Sequence, residues 1–377
     1  MVLEENSSHS VDQVSLVVTA SVRAAVAWSM REVEPTRAWQ EICRMVGVVN
    51  FASGPPGLVP GPIMLVDSLH EPLRHLAPDL DWSDEPLGEV AFIGSTGTVT
   101  PDVHEWAGDY GNALFSGSDD VGSRWLPPWA WQRGEQVERE FNASIRRGTD
   151  MDYAATREFV ITHPAGIETT LIRDRNRMNA LPAGNFGAIP VDRVLGGSWW
   201  PCPVCRWPMR VNGARVRCDI RSHESDFDVE TPSRVDGRPT LQRRVGGRGA
   251  PRAVPAKGSK CVSESIWRFI VVPGLAELRL RDNLQKVAGV EVEMWPNRDR
   301  CDLAVTVGST FLEVDVKDHA RATSIIKDPP SVRWLVVPNA RKKQLSVLAE
   351  RLPSKEVRST RQFLGHVKRI AASEVVR

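Results

Sequence analysis

Two carboxylates and an ammonium group near the end of the chain have the types and spacing for cation-assisted hydrolysis. They lie in Phe311-Leu-Glu-Val-Asp-Val-Lys317, with Asp302 thirteen residues ahead of Asp315. The two-residue period of a strand puts Glu313, Asp315 and Lys317 on one face and turns Leu312, Val314 and Val316 into a core. Three charges in line on an otherwise buried strand are costly unless they share a task. Carboxylate oxygens suit Mg2+, and a neighbouring ammonium can steady the charge that develops in phosphodiester cleavage. Asp-x-Lys alone is a weak motif, but none of the other eight lysines has an acid two residues before it. The plain alternative is a surface strand with ion pairs.

A second set offers softer ligands. Cys202-Pro-Val-Cys205 is followed by twelve residues, then Cys218, then four residues, then His223. Zinc prefers four tetrahedral ligands of S and N type, and two ligands separated by two residues form a tight knuckle. The intervening Trp207–Arg217 segment, with Gly213 at its centre, reads as a hairpin that presents the second pair. This is the outline of a zinc ribbon, with His223 the best fourth ligand and Asp219 or a distant group such as His9 the other candidates. Four protein ligands leave no open position, so the zinc would be structural rather than catalytic. Arg206, Arg210, Arg215, Arg217 and Arg221 surround the site. The first four are candidate DNA contacts.

The elements that must position these groups follow from periodicity. From Cys261 onward, Ser265–Val272 reads as a strand closed by Pro273-Gly274, and Leu275–Val287 as a helix with Ala276, Leu280, Leu284 and Val287 on one face. Glu277 sits at the edge of that face. It either points toward the acidic strand ends or is an ordinary solvated helix glutamate. Val290–Trp295, Asp302–Val307 and Phe311–Lys317 read as strands, the last two joined by a turn at Gly308-Ser309-Thr310 that brings Asp302 back beside Asp315. A short helix at Ala320–Lys327, a strand at Val332–Pro338 and helices at Arg341–Leu352 and Thr360–Ala372 complete a mixed central sheet flanked by helices.

Upstream, residues 1–150 read as a mainly helical acidic domain of unknown role, with 10 Lys+Arg against 22 Asp+Glu. Its helical segments include Ser15–Val33 and Thr36–Val46, and its seven tryptophans suit core packing. Residues 151–197 read as a small helical element, with a winged helix as one form, and 198–230 as the zinc ribbon. Residues 231–260, rich in Arg, Gly and Pro, read as a flexible basic linker, and 261–377 as the α/β domain. The chain is thus multidomain: a mainly α N-terminal region, a small zinc ribbon and a C-terminal α/β domain. The part after residue 150 carries 38 Lys+Arg against 25 Asp+Glu, which suits a polyanionic partner. The acidic start MVLEENSSHS is unlike a secretion signal, and the cysteines do not form a disulfide framework. These features read as cytoplasmic, with no membrane association.

Asp302 and the Asp315-Val316-Lys317 unit resemble the signature of PD-(D/E)xK, restriction-endonuclease-like nucleases over about 115 residues. Trp267-Arg-Phe-Ile-Val-Val-Pro-Gly-Leu-Ala-Glu-Leu-Arg-Leu280, with the zinc module upstream, looks closer to the restriction-endonuclease-like proteins associated with prokaryotic PIWI-related conflict systems. Cys301 departs from the signature by replacing the proline before the first acid. The resemblance implies that Asp302, Asp315 and the backbone carbonyl of Val316 ligate Mg2+. It also implies that Lys317 orients or deprotonates the attacking water and that Glu277 holds a water or a second metal. Glu313 and His319 are accessory candidates. The implied activity is DNA endonuclease action in defence, with a PIWI-related protein and a helicase as partners and a homodimer as one arrangement. A catalytically silent DNA-binding or scaffolding subunit, and a structure-specific or RNA nuclease, are the other readings.

Overall fold

The computed structural model describes residues 4–54, 59, 61–82, 86–94, 97–100, 103, 140–141, 143–146, 148–182, 186–235, 238–245, 249–319 and 322–375. The chain divides into two compact units: Met1–Trp131 with Asp219–Arg221, and Gln132–Cys218 with Ser222–Arg377.

The first unit is mainly helical where described, with α1 (Glu4–Ser29), α2 (Pro35–Ser53) and α3 (Pro62–Ser68), followed by short turns and two isolated β-bridges. Pro35 opens α2, where its fixed φ and missing N–H fit the first turn. Ala38, Ile42, Met45, Val49 and Ala52 then recur at helical spacing and are buried. Val14, Val17, Val18, Ala24 and Ala25 of α1 share that core. Trp28 and Trp82 pack against it, whereas Trp39 is exposed. The segment Arg124–Trp131, read as tryptophan-rich and Pro-interrupted, lies outside the described residues.

The second unit opens with α4 (Asp150–Thr162), capped by Thr149, whose hydroxyl accepts from Asp152 N while the Asp152 carboxylate accepts from Thr149 N. Then come β1 (Ala165–Ile167), α5 (Glu168–Arg177), β2 (Phe186–Ala188), β3 (Ser198–Trp199), β4 (Arg210–Asn212), β5 (Arg215–Arg217), β6 (Asp226–Val235), β7 (Arg238–Val245), β8 (Val254–Pro255) and β9 (Ser259–Val262). Helices were expected near 153–162 and 166–175, and both form. The segment 151–197 is nevertheless no separate element, because β1 and β2 pair with either side of β9.

The expected linker at 231–260 is corrected. β4, β5, β6 and β7 form one antiparallel sheet, and β6 and β7 occupy much of the Arg-rich run. Composition suggested flexibility there, but Phe227 and Leu241 are buried and the Arg243 guanidinium lies 5.2 Å over the Phe227 ring. Apolar anchors and arginine stems together give the hairpin a packed face.

The strand expected at Ser265–Val272 is helical. Glu264–Ile266 leads through a π-turn, Trp267–Val271, into α6 (Val272–Leu284). Isoleucine and valine suggested a strand, yet Trp267, Ile270 and Val271 are buried at helical spacing, and tertiary packing overrides their intrinsic preference. Ser263 caps the start, its hydroxyl accepting from Ile266 N at 3.3 Å. Pro273-Gly274 therefore does not close a strand. Pro273 lies in the first turn of α6, and a Cβ on Gly274 would fall 2.7 Å from Cγ1 of Ile161 in α4.

The remaining elements are β10 (Val290–Met294), β11 (Leu303–Val307), β12 (Thr310–Val316), α7 (Ala322–Lys327), β13 (Trp334–Val337), α8 (Leu345–Arg351), β14 (Glu356–Ser359) and α9 (Thr360–Val375). They build a five-stranded sheet in the order β10-β11-β12-β13-β14. The first three strands are antiparallel to one another, and β12, β13 and β14 are parallel. Leu303, Val305, Val307, Leu312, Val314 and Val316 pack with Leu280 and Leu284 of α6 and Phe363 and Val367 of α9. On the opposite face, Leu335 and Val337 pack with Ile325 of α7 and Leu348 of α8. Helices thus flank a mixed sheet, as the pattern implied. β14 is an element the periodicity did not reveal.

Candidate functional site

The β4–β5 hairpin forms as the cysteine spacing implied, with Gly213 in its turn at φ 58°, a conformation suited to glycine. It brings Cys202, Cys205, Cys218 and His223 together, with one ligand atom from each lying within 4.8 Å of the others. Cys205 Sγ is 3.9 Å from Cys218 Sγ, and His223 Nδ1 is 3.3 Å from Cys218 Sγ and 3.6 Å from Cys202 Sγ. A tetrahedral zinc with ordinary Zn–S and Zn–N bonds sets these separations at about 3.8 Å and about 3.5 Å. The four groups therefore have the chemistry and spacing to bind zinc. Val204 N donates to Cys202 Sγ at 3.4 Å, as a knuckle requires. Asp219, another candidate for the fourth place, is not part of the cluster. Burial is the main cause pushing the Cys205 and Cys218 thiols well up. Closely packed bare thiolates would be unfavourable there.

The carboxylates meet at the sheet. Leu303 pairs with Val314, so the antiparallel register carried one step further sets Asp302 opposite Asp315. The Asp302 carboxylate crosses between the strands and accepts from Val316 N through Oδ2 at 2.6 Å. Lys317 Nζ donates to Asp315 Oδ1 at 3.5 Å, and its own N–H donates to Val336 O, anchoring the end of β12 to β13. Glu277 reaches this group from α6 and is 2% exposed; Asp302 is 6% and Asp315 8% exposed. Burial above all, then the charges of Glu277 and Asp315, push the Asp302 carboxyl well above the usual carboxylate range. Burial pulls the Lys317 ammonium down, but the more numerous interactions with Asp302, Asp315 and Glu277 leave it raised overall.

The structure brings Asp302, Asp315, Lys317 and Glu277 together, and it adds partners that sequence reading missed. Arg157 of α4 donates from Nη2 to both Glu277 oxygens at 3.3 Å, and Trp295 Nε1 donates to Glu277 Oε2 at 2.5 Å. Of the two readings of Glu277, the structure excludes the solvated one: the side chain is buried and turned toward the acidic group. Glu313 pairs with Arg300 at 3.0 Å, while the His319 carbonyl accepts from Gln344 Nε2 at 3.0 Å. Cys301 is a buried thiol donating to Leu303 O at 3.4 Å, and burial pushes its pKa up to about 11. Its place before the first acid is filled by packing.

The candidate DNA-contact arginines are largely committed within the protein. Arg210 pairs with Asp192 at 2.6 Å, and Arg215 Nε donates to Asp226 at 2.8 Å. Arg206 donates to the Thr162 carbonyl at 2.9 Å. Arg217 is half-buried on β5. The site-forming unit thus joins a cluster of three cysteines and one histidine, able to bind zinc, to a mixed α/β sheet with clustered acids.

That class of protein has relatives. Residues 274–374 match the family described as a REase associating with pPIWI_RE, and residues 13–167 match the pPIWI_RE three-gene island domain Y. The C-terminal segment is therefore similar to the pPIWI_RE-associated REase that the motif resemblance named. No curated protein and no solved structure matches the chain. Among the described residues no helix is long and apolar enough to cross a membrane.

Proposed function

We propose that the chain is a divalent-metal-dependent endonuclease of the PD-(D/E)xK type that hydrolyses DNA. In this reading it acts in prokaryotic defence against foreign DNA, in the cytoplasm, with a PIWI-related protein and a helicase. The observation that carries the proposal is the meeting of Asp302, Asp315 and Lys317 at facing strand ends within the segment that matches the REase family. Asp302, Asp315 and the Val316 carbonyl would hold Mg2+, and the donor set fits it: hard oxygens, crowded and short of compensating charge. Bound there, Mg2+ would supply a concentrated positive charge that polarises the phosphodiester. Lys317, already beside Asp315, would orient the attacking water and neutralise charge on the scissile phosphate. Glu277 would act through its hold on the surrounding side chains.

The Cys202, Cys205, Cys218 and His223 cluster would carry structural zinc and fix the β4–β5 hairpin. DNA contact by Arg206, Arg210, Arg215 and Arg217 would require phosphate to compete with Asp192 and Asp226 for two of them. A homodimer would give each strand of a duplex its own site. A non-catalytic scaffolding role draws on one observation, the burial of Glu277 under Arg157.

The test is an assay of the full chain on linear, supercoiled, single-stranded and RNA substrates, with and without Mg2+, beside Lys317→Ala. The proposal expects DNA cleavage that needs Mg2+ and falls at least a hundredfold in the variant, the scale of losing a positioned charged group. Cleavage of RNA alone, or equal activity in the variant, overturns it.

A further inference from the structure

Between β10 and β11 the backbone takes a form that four L-residues seldom share. Trp295, Asn297, Arg298 and Asp299 have φ of 49°, 51°, 57° and 84°. Backbone held in that region is strained for residues other than glycine, so the surroundings must over-determine the turn. The turn ends just before Asp302, and Trp295 N donates to Asp302 O at 2.9 Å. Its shape therefore sets where the Asp302 backbone emerges.

What holds the turn is α4 and the residues leading into it. Arg157 Nη1 pairs with Asp299 Oδ1 at 2.5 Å, and its guanidinium lies 4.8 Å over the Trp295 ring. Its Nη2 binds Glu277, 120 residues away. Arg298 Nε donates to Asp150 Oδ1 at 2.7 Å and Nη1 to Arg146 O at 3.0 Å. One planar fork thus ties Glu277 on α6 to Asp299 in the turn, which a point-charge ammonium cannot do with the same geometry.

We propose that Arg157 is a positioning residue of the carboxylate site, fixing the left-handed turn that delivers Asp302. It lies in the 13–167 segment matching domain Y, whereas Glu277, Asp302 and Asp315 lie in the 274–374 segment matching the REase. The site is therefore completed by residues from both matched segments. The inference rests on the proposed metal-dependent reading of that site.

Charge and position act in opposite directions here. A cation beside a cation site repels the incoming metal, so Arg157 acting by charge alone would weaken Mn2+ binding, and removing it would tighten binding. Arg157 acting by position makes removal weaken binding. The experiment titrates the full chain with Mn2+, reading free Mn2+ by electron paramagnetic resonance and DNA cleavage in parallel. It compares wild type with Arg157→Met, Arg157→Lys, Asp299→Asn and Asp315→Ala. Arg157→Met and Asp299→Asn should raise the Mn2+ midpoint about tenfold, equivalent to about 1.4 kcal/mol. Arg157→Lys should not rescue it, and cleavage should recover at high Mn2+. Asp299→Asn loses a negative charge as well as a contact, so Arg157→Lys, which keeps the charge and loses only the planar fork, decides the matter if Arg157→Met does not fold. A midpoint for Arg157→Lys or Asp299→Asn within twofold of wild type, or tighter binding in Arg157→Met, overturns the inference. Unchanged binding and cleavage in Asp315→Ala would instead overturn the underlying reading.

Discussion

Replacing Cys205 by serine removes one of four ligands from a cluster whose cysteines are 1%, 1% and 6% exposed and whose histidine is 9% exposed. The spacing of Sγ and Nδ1 atoms fits one ion, so the expected content is one zinc per chain. Structural zinc contributes about 10–16 kcal/mol in small modules, comparable to or larger than the roughly 5–15 kcal/mol that separates a folded domain from its unfolded chain. Spread over four ligands, the loss from Cys205→Ser is about 2.5–4 kcal/mol. In a unit of this size that lowers Tm by roughly 10 °C. The assay is metal analysis with thermal melting, and Cys261→Ser is the control. Cys261 is a buried thiol outside the cluster, pushed up to about 11 by burial, and its loss should leave zinc content unchanged. Cobalt substitution should give the absorption of a tetrahedral site with three sulfur ligands and one nitrogen. A folded protein without metal, or zinc content unchanged by Cys205→Ser, would refute the reasoning.

Two further outcomes follow from packing and charge. The Asp302 carboxyl is raised, so the metal-free fold binds more protons than the unfolded chain, and its stability falls as pH rises above the ordinary carboxylate range near about 4. Asp302→Asn should therefore melt a few degrees higher than wild type at pH 8 without metal, with the gap closing toward about pH 4, and should lose stabilisation by Mg2+. Asn can still accept from Val316 N, so a lower Tm at pH 8 would contradict the assignment. Gly274→Ala should cost about 1–3 kcal/mol in urea unfolding, because the added methyl meets Ile161 across the α4–α6 contact. An unchanged midpoint would mean that the helices separate freely there.

The parts of the site legible in sequence were those governed by local periodicity or ligand chemistry. Alternation in Phe311–Lys317 separated Leu312, Val314 and Val316 from Glu313, Asp315 and Lys317, and the turn at Gly308 fixed which residue faces Asp315. The Cys–His spacing revealed a cluster because soft ligands at those intervals have few other uses. Arg157 could not be found this way. Apart from Tyr153 one turn away, its partners Glu277, Trp295 and Asp299 lie more than a hundred residues downstream, and an arginine on an amphipathic helix looks like any solvated charge. Residues 265–272 misled for a related reason: their β-branched side chains suggested a strand, but packing against α4 holds them helical, a contact that local preference does not encode. The Arg-rich stretch after residue 230 shows the converse, since composition hid a hairpin whose buried apolar anchors among the described residues are Phe227 and Leu241.

The central claim is that Asp302 and Asp315 converge on one divalent cation. Crystals of the full chain grown with Mn2+ would locate it by anomalous scattering. A peak is expected about 2.1 Å from one oxygen of each carboxylate, near the usual octahedral distance for a small hard cation. A fully bound Mn2+ elsewhere, with no density between those two side chains, would contradict it.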